Sequence, residues 1–506
     1  MSAFLKSFYA RWRVSYGVVT VLQENQDSPP ERLLQTIWIH QRLLRGKLQT
    51  HEGQPIRVLH PGFHNLEGGP DFRAAVIQIG EGLTQTGDVE VDVRASGWRA
   101  HGHEHNPAFS KVILHVVWEC ENPAASAPPL LVLRPVLDSS LGELSLWLGG
   151  ESARSFPEEL RGQCCAPLRK LEESELRALL EQAAHVRLRS KAAQFQARAR
   201  QVGWDQSLWE GLFRALGYKH NIWPMQRLAE MRPRWASSTA ESLTVQARLL
   251  GLSGLLPAEL SRTQQGADDY VRRVWDRWWR DQDELSSGIL PREVWRLHGL
   301  RPANHPERRL ALGAGWTMLG DLPPRLDRWC VGELQTPALV PSLMQILQVA
   351  HDDFWSWHWT LRSARLKKEQ PLLGNTRKTD LAVNVVLPWL WSRAFEGKNE
   401  AMQKRLENRY FKWPAAQDNS VLKLARERLL GSPSQHLFAA AAAQQGLLQI
   451  VKDFCEYSNS ICERCKLPEL VQEFKNSEMQ SPRLDVVPRL RSHPPSNLVP
   501  SGEPRP

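Results

Sequence analysis

The alternation of apolar and polar positions is clearest between residues 55 and 137. After a Gly-Gly-Pro turn, residues 72–79 (FRAAVIQI) are rich in β-branched and apolar side chains and predict a strand that begins next to Asp71. Residues 88–95 put Val89, Val91 and Val93 on one face and Glu90, Asp92 and Arg94 on the other, because strand side chains alternate with period two. Residues 112–118 are almost wholly apolar, as in a strand covered on both faces, with His115 in the middle. Residues 55–60 and 130–137 predict a first and a last strand. Ahead of them, Leu34, Ile37, Trp38, Gln41 and Leu44 recur at helical spacing, so 31–44 predicts an amphipathic helix packed on the strands.

Beyond residue 165 the pattern changes to a helical period. Residues 171–201 place Glu172, Glu173 and Glu175 early and Arg198 and Arg200 late, the order that suits a helix dipole. The basic half of that helix reads first as a solvated face and second as a track for a phosphate backbone. Tryptophans crowd the stretch from Trp204 to Trp359 at irregular spacing, which predicts core packing rather than a repeat. Residues 300–310 (LRPANHPERRL) read as a polar turn entering a helix, where Arg301 and Arg308 either grip phosphate or serve capping and salt pairing. Residues 373–380 read as a loop before an apolar helix, and 434–456 as an alanine-rich helix. The Pro- and Ser-rich residues 476–506 predict disorder.

Composition sharpens this outline. At 506 residues the chain exceeds what one core usually supports. The pattern divides it into an N-terminal extension (1–30), a sheet domain (31–165), a mostly helical, tryptophan-rich domain (166–475) and a tail (476–506). No apolar run approaches the eighteen or so residues of a membrane helix, and the basic N-terminus lacks a cleavage site, so neither a membrane span nor a signal peptide is expected. Seven cysteines, unevenly placed, do not make a secreted disulfide framework and fit a reducing cytoplasm. A net charge of +9 favours a polyanionic partner such as nucleic acid. Oligomeric state is not legible.

Candidate chemistry lies in three places. Asp71 and Glu90, if on neighbouring strands, supply hard oxygen ligands for Mg²⁺ or Mn²⁺, with Asp92 assisting. A turn aspartate and a charged outer strand face are also ordinary structure, so a purely structural role stands beside the metal role. His101, His103 and His105 form a loop suited to phosphate contact, or to Zn²⁺ if the loop is extended. His115 reads as a satisfied core residue rather than a ligand. Cys455, Cys462 and Cys465 approach a zinc knuckle without an evident fourth ligand, leaving Zn²⁺ and free thiols as alternatives.

Several stretches resemble a bacterial family catalogued as domain of unknown function 2851: HPGFHNLEGGPDF, GDVEVDV, SGWRAHGHEHNPAFSKVILHVV, ALGYKHN, LRPANHPERRLA, DLAVNVVLP and QQGLLQIVKDFCEYSNSICERC. The resemblance spans most of 31–465 and implies that sheet and helices form one unit; it implies no activity. Within residues 30–120, Pro70, Asp71 and Glu90 also resemble the PD-(D/E)xK nuclease superfamily, which implies a metal-dependent phosphodiesterase. Asp92 stands where that superfamily has its lysine. Arg94, on the same face, is the available cation, although a guanidinium makes a poor proton carrier. The fold expected is thus α+β: an N-terminal nuclease-like mixed sheet flanked by helices, then a mostly α-helical domain. The activity expected is a nuclease using Asp71, Glu90, Asp92 and Arg94, with a non-catalytic scaffold binding nucleic acid or protein as the rival.

Overall fold

The architecture was taken from a computed structural model, which describes residues 7–16, 18–19, 21–23, 28–65, 68–121, 127–148, 166–236, 240–260, 269–416, 418–431, 439–455 and 465–480. The fold is α+β: a curled mixed sheet with helices, followed by a mostly helical part. Among the described residues six strands make the sheet: β1 (Ile56–His60), β2 (Phe63–His64), β3 (Phe72–Ile79), β4 (Gln85–Arg94), β5 (Val112–Glu119) and β6 (Leu130–Val132). Their order is β1-β3-β4-β5-β6, with β2 also pairing with β3. The β1/β3 and β3/β4 pairs are antiparallel, whereas β4/β5 and β5/β6 are parallel.

That switch of direction at β4 positions everything described below. Parallel neighbours require a crossover, and the one between β4 and β5 is short: a helical turn at Gly97–Ala100 and two 3₁₀ turns at His103–His105 and Pro107–Phe109. It carries the histidine loop. On one side of the sheet Val89, Val91, Leu114 and Val116 join Leu34, Ile37 and Trp38 of the Glu31–Ile39 helix in a core. Trp38 is fully buried and its indole N–H donates to the Pro61 carbonyl (2.9 Å), so a large apolar side chain is buried with its polar tip satisfied.

Two predicted elements are shorter than their patterns. The first helix ends at Ile39, because the chain turns left-handed at Gln41 (φ 48°) and the Arg42 N–H reaches back to the Ile37 carbonyl (3.1 Å). The last strand stops at Val132 and gives way to a 3₁₀ turn at Arg134–Val136, where Pro135 has no N–H for a ladder. Residues 373–380, expected as a loop, instead enter a helix at Asn375–Leu381 that runs through a π-helical turn (Ala382–Val386) into Leu387–Glu396, burying Leu381, Val383 and Val386. The C-terminal helix Leu467–Gln480 runs past residue 476, where disorder was expected.

The helical part has two cores. The larger takes Leu59 and Val76 from the sheet together with Trp209, Trp235, Trp316 and Trp389, so sheet and helices share one interior. Most of the described tryptophans are buried or half-buried, as their irregular spacing predicted; Trp279 is a half-exposed exception. The smaller core joins the Phe8–Ser15 helix to Glu173–Val202, Ala441–Phe454 and Leu467–Gln480. The Phe8–Ser15 helix packs into this core through Tyr9 and Trp12.

Candidate metal centre at the sheet crossover

Strand alternation puts Glu90 and Asp92 on the same side of β4, opposite Val89 and Val91. The pattern alone suggested a solvated charged face; instead both carboxylates are buried, at 8% and 3% exposure, beneath the crossover. Gly97 in that crossover is pressed against Asp92: a Cβ there would lie 2.7 Å from Oδ1. A side chain at position 97 would push the carboxylate away. Across the parallel pairing Glu90 is in register with His115. The His115 ring lies with Nε2 2.9 Å from Asp92 Oδ2, fixing one oxygen and leaving Oδ1 toward His101 Nδ1 at 3.4 Å.

Asp71 joins from the start of β3. Its N–H donates to Glu90 Oε2 (3.1 Å), and the Val91 N–H donates to Asp71 Oδ2 (3.1 Å). This reciprocal pair of bonds ties the start of β3 to the middle of β4. A β-bulge between Phe72 and Ala75, with Ala74 in the left-handed region (φ 54°), sits beside them and re-aims the strand. From the first helix, Gln35 Nε2 donates to both Asp71 Oδ1 (2.8 Å) and Glu31 Oε1 (3.0 Å), a bridge made possible by the i, i+4 spacing of Glu31 and Gln35.

Crowding buried carboxylates raises their pKa values, since burial and like charge both disfavour ionisation. Burial, with Glu31 nearby, pushes Asp71 up to about 7, against the lowering effect of the Val91 and Gln35 hydrogen bonds. Burial and the neighbouring Asp71 push Glu90 up to about 9. Glu31 is raised as well, by burial and then by Asp92. A cation placed among these groups would reverse the repulsion.

Of the three loop histidines the structure brings two to the cluster. Asp92, His101 and His103 each offer one ligand atom, and these atoms lie within 4.8 Å of one another. His103 is buried at 9% exposure and its Nε2 lies 3.3 Å from Glu90 Oε1, yet neither ring nitrogen has an aligned hydrogen-bond partner. Burial lowers its pKa, against the raising effect of Asp92, and so favours the neutral ring. His105 faces outward, 86% exposed beside Glu104. The loop is not extended: Gly102 is left-handed (φ 69°) and a 3₁₀ turn follows, so 101 and 103 face in while 105 does not. Arg94 is exposed at the end of β4 and forms no ion pair with the carboxylates.

These residues fit a divalent ion. Buried nitrogen donors without hydrogen-bond partners, oxygens already oriented by His115 and Gln35, and a glycine that leaves Asp92 room make a set with both ligands and their supports. The C-terminal cysteines are less complete among the described residues. Cys455 and Cys465 are half-buried, whereas Cys462 lies outside the described residues.

A family model described as "Protein of unknown function (DUF2851)" matches residues 31–419, more than three quarters of the chain. The chain belongs to the DUF2851 family. The family segment holds every member of the cluster and both strands and crossover that build it, and it ends before the C-terminal cysteines. Neither a curated protein nor a solved structure matches the chain. Among the described residues no helix is long and apolar enough to cross a membrane.

Three participants escape a reading of the sequence. His115 looked like core, and it is fully buried; the signal for its second role is the register of a parallel pairing that sequence does not give. Gln35 was hidden in a helix read for its apolar stripe, although its position one turn after Glu31 was visible. Gly97 is an unremarkable glycine until Asp92 is seen against it.

Proposed function

We propose that this protein is a metal-dependent phosphodiesterase acting on nucleic acid, with Asp71, Glu90, Asp92, His101 and His103 around one divalent ion. The observation that supports the reading is that Asp92, His101 and His103 offer ligand atoms within 4.8 Å of one another beside the hydrogen-bonded Asp71 and Glu90, with the His103 nitrogens lacking hydrogen-bond partners. Mixed oxygen and imidazole donors favour Mn²⁺ over Mg²⁺, which takes oxygen ligands almost exclusively, and they also suit Zn²⁺. When bound, such an ion polarises a phosphoryl oxygen and lowers the pKa of bound water.

The chain's own groups have distinct tasks. His115 and Gln35 hold Asp92 and Asp71 in place. His101, with its side chain 55% exposed, is the cluster's most accessible imidazole and the one suited to contact an incoming phosphate or pass a proton to solvent. Asp92 replaces the superfamily lysine with a ligand, so the positive charge at the reacting phosphate comes from the ion rather than a side chain. The net charge of +9 supports a polyanionic substrate.

The test is cleavage of single- and double-stranded DNA and RNA with Mn²⁺, comparing the wild type with Asp71→Asn and His103→Gln. Each variant should lose at least about a hundredfold in rate, as removal of a metal ligand or its support does. Cleavage that persists undiminished in both variants would remove the catalytic assignment. Salt-sensitive binding without cleavage by the wild type would favour a scaffold that keeps the nuclease-like shape.

A further inference from the structure

A cavity of about 1180 Å³ lies elsewhere, between the turn that ends the first helix and the helical part. Its lining holds ten Lys and Arg side chains and four carboxylates, and none of the metal-centre residues. Each of the four carboxylates is already ion-paired to an arginine, as Asp138 is to Arg42 (2.8 Å) and Glu210 to Arg198 (2.7 Å). Other arginines of the lining donate to neutral oxygens: Arg187 to Gln445 Oε1 (2.8 Å), and Arg309 to the Leu372 carbonyl (2.8 Å) and Asn304 Oδ1 (3.0 Å). Positive charge is thus concentrated well beyond what the cavity's own acids neutralise.

The arginines are built in rather than scattered on a surface. Arg42 and Arg309 are 6% and 4% exposed, and each keeps a buried nitrogen, Nη1 and Nε respectively, without a hydrogen-bond partner. Two guanidiniums lie over the Tyr218 ring, Arg377 at 3.2 Å and Arg309 at 5.3 Å from its centre. Arg45, ion-paired to Glu230, still has its pKa driven down to about 9 by burial and then by the like charge of Arg198. Such mutual repulsion is maintained only at a cost that an anionic ligand offsets.

Backbone irregularity gathers at the same place. Among the described residues five non-glycine positions are left-handed, and two of them, Gln41 (φ 48°) and Tyr218 (φ 56°), line this cavity. The π-helical turn at Ala382–Val386 contributes Asn384 and Val385. Strain and π turns of this kind concentrate at binding sites. Three sequence stretches that the metal centre leaves unexplained, ALGYKHN, LRPANHPERRLA and DLAVNVVLP, all reach the cavity, through Tyr218, Asn304 and Asn384.

From this we infer that the cavity is a second ligand site, specific for the polyphosphate group of a nucleotide-sized small molecule. Eight of the ten cations are arginines, whose planar fork matches phosphate oxygens two at a time. The volume lies just above the usual span of small-molecule sites, leaving room for a nucleotide-sized ligand. The half-buried Trp359 in the lining offers an aromatic surface for a base, its ring already flanked by Arg308 at 4.8 Å. The inference stands independently of the metal centre.

Calorimetric titration of the full-length chain with inorganic triphosphate, ATP and a 5′-phosphorylated oligonucleotide tests it. Triphosphate and ATP should bind one per chain, and Arg301→Ala and Arg214→Gln should each weaken ATP by about tenfold with unchanged melting. Both positions lie at the cavity rim or half-buried in its wall, so the fold survives their loss. Asp71→Asn should leave ATP affinity unaltered. The inference is overturned if neither triphosphate nor ATP binds below about 1 mM, if the arginine variants bind as well as the wild type, or if Asp71→Asn weakens ATP. It is overturned equally if the oligonucleotide binds more tightly than ATP and displaces it, since the cavity would then serve a nucleic-acid strand.

Discussion

Mn²⁺ affinity should climb steeply with pH, by roughly several thousandfold between about pH 6 and about pH 9. The ion must displace the protons that Glu90 and Asp71 hold up to about 9 and about 7, so each contributes up to tenfold per pH unit below its own value. Linkage gives the matching sign for stability. Both carboxyls are raised above their unfolded values, so the metal-free fold keeps protons that the unfolded chain gives up. Their contribution is complete in acid and is lost as pH rises, through about 7 for Asp71 and about 9 for Glu90. Mn²⁺ should therefore raise the melting temperature little at pH 5 and most at pH 9. Titration by calorimetry across that range, with parallel thermal melts, reads both effects. An affinity independent of pH would mean that the ion, if it binds, is held by other groups.

The second large effect concerns the smaller helical core. Arg13 and Asp453, with side chains 2% and 0% exposed, meet with Nε 2.8 Å from Oδ2 and Nη2 2.9 Å from Oδ1. Tyr9 Oη donates to the same carboxylate at 2.7 Å, and Gln449 reaches both of its oxygens. Asp453→Ala would leave a buried guanidinium and a buried phenol without their acceptor. It should cost about 3–5 kcal/mol of stability in urea denaturation, the usual penalty for stripping one partner from a buried pair. Replacing both charged groups, as Arg13→Met with Asp453→Leu, should recover much of the loss, because no charge is then stranded. A cost below about 1 kcal/mol for Asp453→Ala would show that the N-terminal helix is not anchored this way. This pair ties residues that precede the DUF2851 segment to residues that follow it, so both flanks belong to the folded unit.

How much of this was legible can be argued from single residues. Asp71 and Glu90 were visible because a Gly-Gly-Pro turn and a period-two run place them at strand positions, and those signals are local. Asp92 was visible as Glu90's neighbour on one face. Its burial was not, because alternation cannot tell a solvated face from one covered by a crossover. The histidine loop was found by composition, but the inward turn of His101 and His103 and the outward turn of His105 follow from the left-handed Gly102, a choice made by packing. Arg94 illustrates the opposite failure: it shares the alternation of Glu90 and Asp92, but the strand ends there and the side chain reaches solvent. The arginine cavity had no local signature at all. Its members come from five or more separate stretches, and only the fold assembles them.

One measurement bears on the centre most directly: the Mn²⁺ content of full-length protein dialysed to equilibrium near pH 8, for the wild type and for Asp92→Asn combined with His103→Gln. One ion per wild-type chain, lost from the double variant while its melting in the absence of metal is retained, is the predicted result. No bound ion in the wild type, or an ion that survives the double substitution, would contradict a site formed by strand carboxylates and crossover imidazoles.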